Sequence, residues 1–348
     1  KSFSSIDWMS PSFVIDSTIV TSGTRNTHFE RAGINLNGRH NFDGAGEISF
    51  DIDLIKFNIQ GDQYFQTQLI SPGSSVEATK GDLPSSLKIF TGKIDYTKTF
   101  KDLVWETGLK TAHTTTDNLA EYYYLNGTGW VANLGRSNHF LYDENIHSAY
   151  TSVDRKAEKW NWQVGLRYEL TSYKANQLGN AVVKDSSFKK NYGSLFPTGF
   201  LSFNADSNNT FTLRFGRRID RPPFQSLNPF LVTMNKYTFE AGNPFIKPQY
   251  TWNIELAHNF KQFLSTAISY SYLDDYFSQL FIIDSNSSNV NKNIIIYTRG
   301  NVGNFQNLGL TVTIQTPVTK WWRISSTTVY NHKIIRGFVW KPMRAVID

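Results

Sequence analysis

The chain has 348 residues, of which 18% are charged, 40% hydrophobic and 15% aromatic, and it contains no cysteine. Because soluble domains average about 25% charged residues, the chain is poor in charge, yet no stretch reaches the roughly 18 consecutive apolar residues of a membrane helix, which excludes a helical membrane protein. The net charge is +6, but the basic residues are scattered, so we expect no nucleic acid partner.

Strict alternation of apolar and polar residues predicts β-strands along most of the chain. In chain order, the clearest patterns fall in residues 48–54, 103–109, 160–170, 211–215, 252–256 and 308–314. In the longest one the apolar residues are Trp160, Trp162, Val164, Leu166, Tyr168 and Leu170, and every residue between them is polar or small. A period of two residues is typical of strands with one apolar face.

The connections between these strands alternate in length. The short ones lie near residues 43–46, 100–102, 154–158, 205–209, 260–262 and 316–320. The long ones lie near residues 59–86, 118–137, 176–189, 221–248 and 284–292. Short periplasmic turns and long extracellular loops follow one another in this way in outer-membrane barrels. The predicted fold class is therefore all-β, an antiparallel up-and-down transmembrane β-barrel, and residues 263–283 and 293–315 look like strands that project past the bilayer.

Tryptophan placement is an independent indication of a membrane protein. Five tryptophans follow closely after a short connection, namely Trp105, Trp160, Trp162, Trp321 and Trp322, whereas Trp252 follows a long one. Tryptophan is enriched at membrane–water interfaces. We therefore expect the five to form an aromatic girdle at the periplasmic end, with Trp252 at the opposite end. The alternative is that these side chains fill the core of a soluble β-sandwich.

Residues 217–250 combine strand-ending and turn-forming residues. Pro222 and Pro223 cannot donate to a ladder, so strand pairing stops there. The turn formers that follow are Asn228-Pro229 and Gly242-Asn243-Pro244. Pro248 favours an extended entry into the next strand. This pattern predicts a structured loop between two strands rather than a catalytic motif.

The same segment resembles the outer-membrane β-barrel family of TonB-dependent receptors, in the form common in Bacteroidetes. Its two halves are RRIDRPPFQSLNPF at residues 217–230 and GNPFIKPQY at residues 242–250. The matching positions are Arg217, Arg218, Ile219, Arg221, Pro222, Leu227, Asn228, Pro229, Phe230, Gly242, Asn243, Pro244, Pro248 and Tyr250. Similarity extends over nearly the whole chain, but these motif residues are architectural, so they imply a fold and a cellular role rather than ligand contacts.

The resemblance implies active uptake of a scarce solute across the bacterial outer membrane. The partners it implies are the membrane lipid, a plug domain of the same full-length chain and the TonB energy-coupling complex, and a surface lipoprotein is a further candidate. Plugged transporters close with about 22 strands, whereas alternation gives about 12 here. We therefore expect residues 1–348 to form one partial barrel domain without a plug, open between the strands near residues 27–40 and 322–334.

Two other functions fit the same features. A surface-exposed binding or adhesion barrel without transport would have the same wall, and a plug domain with an energy-coupling box upstream would separate the two. A soluble carbohydrate-binding or hydrolytic β-sandwich would share the period of two. No catalytic motif, cofactor fingerprint or His pair with metal-site spacing occurs, so we expect no enzyme, no cofactor and no metal. The ligand-contact residues stay open, as does the solute, which could be a siderophore, glycan, peptide or cobalamin.

Overall fold

The computed structural model describes residues 2–71, 74–235, 237–261, 263–283 and 294–337. In these ranges the chain forms 17 β-strands of one sheet and one short α-helix. The strands are β1 (Ser2–Met9), β2 (Ile15–Phe42), β3 (Gly46–Ser71), β4 (Ser75–Asp82), β5 (Ser85–Phe100), β6 (Leu103–Asn126), β7 (Gly129–Ala132), β8 (Asn138–Lys156), β9 (Trp160–Leu178), β10 (Ser186–Asn204), β11 (Asn209–Asp220), β12 (Val232–Asn235), β13 (Thr238–Glu240), β14 (Gln249–Phe260), β15 (Leu264–Ile283), β16 (Ile295–Pro317) and β17 (Arg323–Arg336). The helix, α1, is Phe224–Leu227. No helix in the described ranges is long and apolar enough to cross a membrane.

Twelve long strands form a wall in which each strand is antiparallel to the next. In order they are β2, β3, β5, β6, β8, β9, β10, β11, β14, β15, β16 and β17. Three short strands, β1, β4 and β7, extend the ends of wall strands. The other two, β12 and β13, lie in the connection between β11 and β14. The wall strands therefore pair in chain order, which confirms the up-and-down arrangement and the expected number of strands.

The short connections all lie at one end of the wall, which we call the turn end, and the opposite end is the loop end. They join β2 to β3, β5 to β6, β8 to β9, β10 to β11, β14 to β15 and β16 to β17. Local hydrogen bonds fix these turns. In the β10–β11 turn, the Asn209 side chain and the backbone N–H groups of Asn208 and Asn209 donate to Asp206. These bonds favour the charged carboxylate and hold the pKa of Asp206 below its usual value.

At the loop end, the strands run further than alternation predicts. Residues 59–86, expected as a connection, contain the second half of β3 and all of β4, and residues 118–137 contain the end of β6 and all of β7. Beyond the membrane the outer face of a strand meets water instead of lipid, so apolar residues are no longer required there and the alternation is lost while the ladder continues. The long strands expected at residues 263–283 and 293–315 correspond to β15 and β16, and their projection past the bilayer stays a prediction. The connection expected at residues 284–292 lies outside the described residues.

The outer face of the wall carries a continuous band of exposed apolar side chains. One row of directly paired residues crosses six strands and consists of Val164, Gly199, Phe215, Ile254, Tyr270 and Leu308. The five side chains of this row are exposed. The ring of Phe215 occupies the space that a Cβ at Gly199 would need, so it covers the glycine backbone. Such a contiguous apolar surface is unfavourable in water and typical of a lipid-facing barrel wall.

The inner face of the wall is polar, and many of its charges are paired. Arg214 Nη1 donates to Glu255 Oε1 at 2.7 Å. Lys93 Nζ lies 2.7 Å from Asp95 Oδ2. A charge near a low-dielectric wall is costly without a partner, so these pairs fit a wet lumen bounded by lipid.

The wall ends at β2 and β17. Among the described ladders, β17 pairs only with β16, and residues 24–42 of β2 pair only with β3. Apolar side chains on both strands are far exposed, at 71% for Ile34, 57% for Val329 and 60% for Ile335. The described wall is therefore open between these two strands, at the place expected from the sequence.

Substitutions on opposite faces of β9 test which face meets lipid. Leu166 lies on the outer face and Gln163 on the inner face, and both are exposed. Leu166→Arg should place a charge in hydrocarbon and lower the free energy of unfolding by about 2–4 kcal/mol, whereas a lumen-facing Arg is nearly neutral. Urea unfolding in lipid vesicles, followed by tryptophan fluorescence, measures both variants. Equal losses for Leu166→Arg and Gln163→Arg would mean that the sheet is buried on both faces.

Single cysteines test the sidedness of the wall, because the native chain has none. Thr128 lies in the exposed β6–β7 turn at the loop end, and Ser207 lies in the exposed β10–β11 turn at the turn end. On intact cells, an impermeant maleimide should label Thr128→Cys and should label Ser207→Cys only after permeabilisation. The inverse labelling pattern would overturn the assignment of the loop end to the cell exterior.

Candidate functional site

The connection between β11 and β14, residues 221–248, folds against the inner face of the wall, and we call it the inner loop. Its sequence explains where it starts. The last rung of the β11–β14 ladder joins Asp220 to Gln249, and Pro222 and Pro223 follow directly. Proline has no N–H to donate, so the ladder ends and the chain turns away into α1, β12 and β13.

A hydrophobic cluster anchors the inner loop to three wall strands. The loop contributes Leu227, Phe230 and Ile246, which are 2%, 9% and 1% exposed. The wall contributes Ala120 and Tyr122 of β6, Phe140 and Tyr142 of β8, and Tyr173 and Ala175 of β9. The ring centroids of Phe140 and Phe230 are 6.3 Å apart in an edge-to-face arrangement. The largest apolar core of the described structure therefore lies inside the wall.

The two Asn-Pro pairs of the inner loop hold its backbone in a fixed shape. The Asn228 side-chain oxygen accepts from the Phe230 N–H at 3.2 Å, and the Asn243 side-chain oxygen accepts from the Phe245 N–H at 2.9 Å. The two turns are joined because the Gly242 N–H donates to the Asn228 carbonyl at 2.8 Å. A Cβ at Gly242 would lie 2.8 Å from the Asn228 nitrogen, so only glycine fits this approach. Pro229 and Pro244 each follow the asparagine of one turn.

The inner loop also binds the opposite side of the wall. β13 adds to β16 as a parallel strand, and the Asn243 amide donates to the Arg299 carbonyl at 3.1 Å. Asn301 accepts from the Lys247 N–H at 2.8 Å and donates to the Lys247 carbonyl at 3.1 Å. Since β9 and β16 are separated by four wall strands, the inner loop spans a wide arc of the lumen.

Arg221 forms a buried ion pair at the start of the inner loop. Its guanidinium donates to the Glu169 carboxylate and, at 2.8 Å, to the Thr171 hydroxyl. Arg167 Nε lies 3.4 Å from the other carboxylate oxygen of Glu169. The side chain of Glu169 is 8% exposed and that of Arg221 is 22% exposed. The Glu169 carboxylate of β9 thus binds Arg221, the residue that follows β11, across the intervening strand β10.

Arg217 lies among aromatic rings just before the inner loop. Its guanidinium carbon is 4.4 Å from the centre of the Tyr250 ring, 5.7 Å from Phe196 and 5.8 Å from Trp252. Arg217 also donates to the Leu195 carbonyl at 2.9 Å. Cation–π contacts of this kind stabilise a partly desolvated guanidinium. The motif residue next to it, Arg218, is exposed instead.

The structure thus brings most of the motif residues together in or beside the inner loop. Arg217 and Tyr250 contact each other, and Asn228 bonds with Gly242. Pro244 and Pro248 are buried, whereas Pro222 is half-buried. The sequence pattern did not identify the wall residues that contact the inner loop, namely Phe140, Tyr173 and Glu169, which binds Arg221. Glu169 lies between Tyr168 and Leu170, on the polar face of the longest alternating pattern, but nothing in the spacing indicates which residue it binds.

The tryptophans lie where the strand assignment places them. Trp160 begins β9, Trp162 follows two residues later and Trp105 is the third residue of β6, while Trp321 and Trp322 directly precede β17. All five are near the turn end. Trp252 is near the start of β14, at the loop end. Their role as a girdle in the membrane interface stays a prediction.

Comparison with known proteins identifies the fold family. The sequence profile of the outer membrane protein beta-barrel family matches residues 40–339. The chain belongs to this family. A member of the family lies in the outer membrane, and the alternative of a soluble β-sandwich is wrong.

Solved structures share this fold at low sequence identity. The copper transporter OprC is 12% identical, with 95% of this chain and 57% of that chain covered and a TM-score of 0.53. The siderophore receptor PiuA from Acinetobacter baumannii is 12% identical, with 92% of this chain and 60% of that chain covered and a TM-score of 0.50. The chain therefore spans less than two thirds of the length of these structures. No curated protein sequence matches it.

The Arg221–Glu169 pair should control the attachment of the inner loop. Removing one partner of a buried pair costs about 3–5 kcal/mol of unfolding free energy. Arg221→Gln should lower the free energy of unfolding by an amount at the lower end of this range, because Arg167 still neutralises Glu169. Glu169→Gln should lower it by more. The double variant should lose less than the sum of the two. Urea unfolding in lipid vesicles measures these values. Arg218→Gln is the matched control and should change little, and additive losses would show that the pair is not coupled.

Proposed function

We propose that the chain is part of the barrel of a TonB-dependent receptor that takes up a scarce solute across the outer membrane. The observation that carries this proposal is a wide, polar-lined wall with a loop fixed inside it. A wall of twelve long strands, open at both edges, suits a barrel wider than one that its own side chains could fill. Two solved structures with this fold are a copper transporter and a siderophore receptor, which supports a transport role.

The open edges support a larger barrel. In hydrocarbon, each unpaired backbone group costs several kcal/mol, so residues 24–42 of β2 and the free side of β17 need partner strands. We propose that these strands come from the same full-length receptor, which would close at about 22 strands. Residues 1–348 would then be a partial barrel domain, and a plug domain elsewhere in the receptor would fill the lumen.

The inner loop has a defined part in this proposal. Its apolar core and its ion pair hold it rigidly at the loop end, so it narrows the lumen on the side of β6, β8 and β9. Paired charges such as Arg214–Glu255 leave the rest of the inner face polar and wet. A plug domain would contact this polar face, and a solute would enter beside the inner loop. The tryptophans near the turn end would anchor the wall in the periplasmic interface.

Energy coupling separates a transporter from an adhesion barrel. We compare three strains of the source bacterium: the parent, one lacking this receptor and one lacking the TonB complex. Solutes remaining in a defined growth medium are identified by mass spectrometry. The proposal predicts at least one solute that the parent removes and that both mutant strains leave behind.

Two variants extend this test, a control in β11 and a change in the core of the inner loop. A receptor carrying Arg218→Gln should restore removal of that solute to the receptor-deficient strain, and one carrying Phe230→Ala, which opens the core of the inner loop, should restore it less well at equal surface abundance. If no solute depends on both the receptor and the TonB complex, the transport proposal is wrong, and binding or adhesion without transport becomes the better account.

A further inference from the structure

Two lysines face each other on the outer face of the wall. Lys56 of β3 and Lys88 of β5 are directly paired in the β3–β5 ladder, and both are exposed. Their neighbours in the same row are Ala32 of β2 and Thr115 of β6, neither of which is charged. Among the described residues, neither lysine makes an ion pair with a carboxylate. Like charges directly opposite each other destabilise a sheet, so this pair needs a compensating anion.

The position of the pair indicates where that anion comes from. Two residues nearer the turn end on each strand are Leu54 and Phe90, which are also directly paired and are exposed on the outer face. They belong to the lipid-facing band, and from Lys56 outward the same face of β3 is polar, with Asn58 and Gln60 next. Lys56 and Lys88 therefore lie at the outer boundary of the apolar band, where lipid head groups are.

A lysine pair on the inner face provides a contrast. Lys93 and Lys110 are directly opposite each other in the β5–β6 ladder, but Lys93 Nζ lies 2.7 Å from Asp95 Oδ2. The inner pair thus has a carboxylate from the chain itself. The outer-face acids nearest the pair are Glu30 of β2 and Asp117 of β6, and each lies beside a histidine rather than a lysine. Glu30 Oε1 is 3.5 Å from His28 Nε2, and Asp117 Oδ1 is 2.7 Å from His139 Nε2. The outer pair is left without an acidic partner from the chain.

The same outer row contains a second lysine pair. Beyond Thr115 it continues through Asp143 of β8 to Lys174 of β9 and Lys189 of β10, which are directly paired and exposed. Asp143 lies 3.7 Å from His113. The exposed leucine next to Lys56 towards the turn end, Leu54, is two residues away, whereas Leu170 is four residues from Lys174 and Leu195 is six from Lys189. The second pair therefore lies further from the apolar band. The pair nearest the lipid is Lys56–Lys88.

We propose that Lys56 and Lys88 bind the phosphate group of a glycolipid in the outer leaflet. The acyl chains of the lipid would lie over Leu54 and Phe90, and the phosphate oxygens would accept hydrogen bonds from both ammonium groups. Lysine stems pack along apolar surface while the charged ends reach the interface, which suits both side chains to this position. The site requires the outer-membrane location of the wall but no transport, so it stands or falls independently of the uptake proposal.

Binding of phosphorylated lipid A to the detergent-solubilised protein tests the site. Native mass spectrometry gives apparent Kd values for this lipid and for its dephosphorylated counterpart with the same acyl chains. A lysine near an anionic lipid surface contributes about fivefold in affinity. Lys56→Gln/Lys88→Gln should therefore weaken binding of the phosphorylated lipid about 25-fold and leave binding of the dephosphorylated lipid unchanged. Lys56→Arg/Lys88→Arg should retain most of the affinity.

Two controls distinguish this site from general charge effects. Lys93→Gln/Lys110→Gln removes the same charge from the inner face and should not change lipid affinity. Inorganic phosphate should not displace the lipid, because the site also uses the acyl chains. Equal affinity of the parent and the Lys56→Gln/Lys88→Gln variant for phosphorylated lipid would overturn the proposal. So would equal weakening by the inner-face variant, or displacement by inorganic phosphate.

Discussion

No water is available in hydrocarbon to pair with a backbone N–H or C=O, so every strand in a membrane must find its partners in neighbouring strands. This constraint accounts for the series of ladders that joins each wall strand to the next from β2 to β17. Once the backbone groups are paired within the sheet, the side chains of each strand lie on two faces with different surroundings. The row from Val164 to Leu308 faces outward and is apolar, while Arg214 and Glu255 face inward and pair with each other.

The same constraint explains why an apolar core exists inside a polar lumen. The backbone of the inner loop leaves the wall at Pro222, so its N–H and C=O groups need other partners. Asn228, Gly242 and Asn243 satisfy part of them within the loop, and Asn301 satisfies others from the wall. With the backbone paired in this way, Leu227, Phe230 and Ile246 can pack against Phe140 and Tyr173. Asn228, Gly242 and Asn243 thus pair the backbone of a loop whose apolar side chains are buried, and an architectural role for the remaining motif residues stays a prediction.

The sequence was sufficient for the strands inside the membrane and for the position of the inner loop between two of them, but not for the folding of that loop against the inner face of the wall. Within the membrane, one face of each strand meets lipid and the other meets water, and this contrast produces the alternation seen from Trp160 to Leu170. It was insufficient at the loop end, where residues 59–71 and 75–82 form ladders although apolar and polar residues do not alternate strictly along them. It also could not assign Glu169 to Arg221, since 52 positions separate them and only the stagger of β9, β10 and β11 brings them together.

The central claim is that the twelve strands are an arc of a wider barrel. The most direct test is a cryo-electron microscopy structure of the full-length protein in lipid. The account predicts that residues 24–42 of β2 and the free side of β17 each pair with a further strand, and that the inner loop keeps its contacts with β6, β8 and β9. A continuous ladder between β2 and β17, closing a barrel of twelve wall strands, would contradict it.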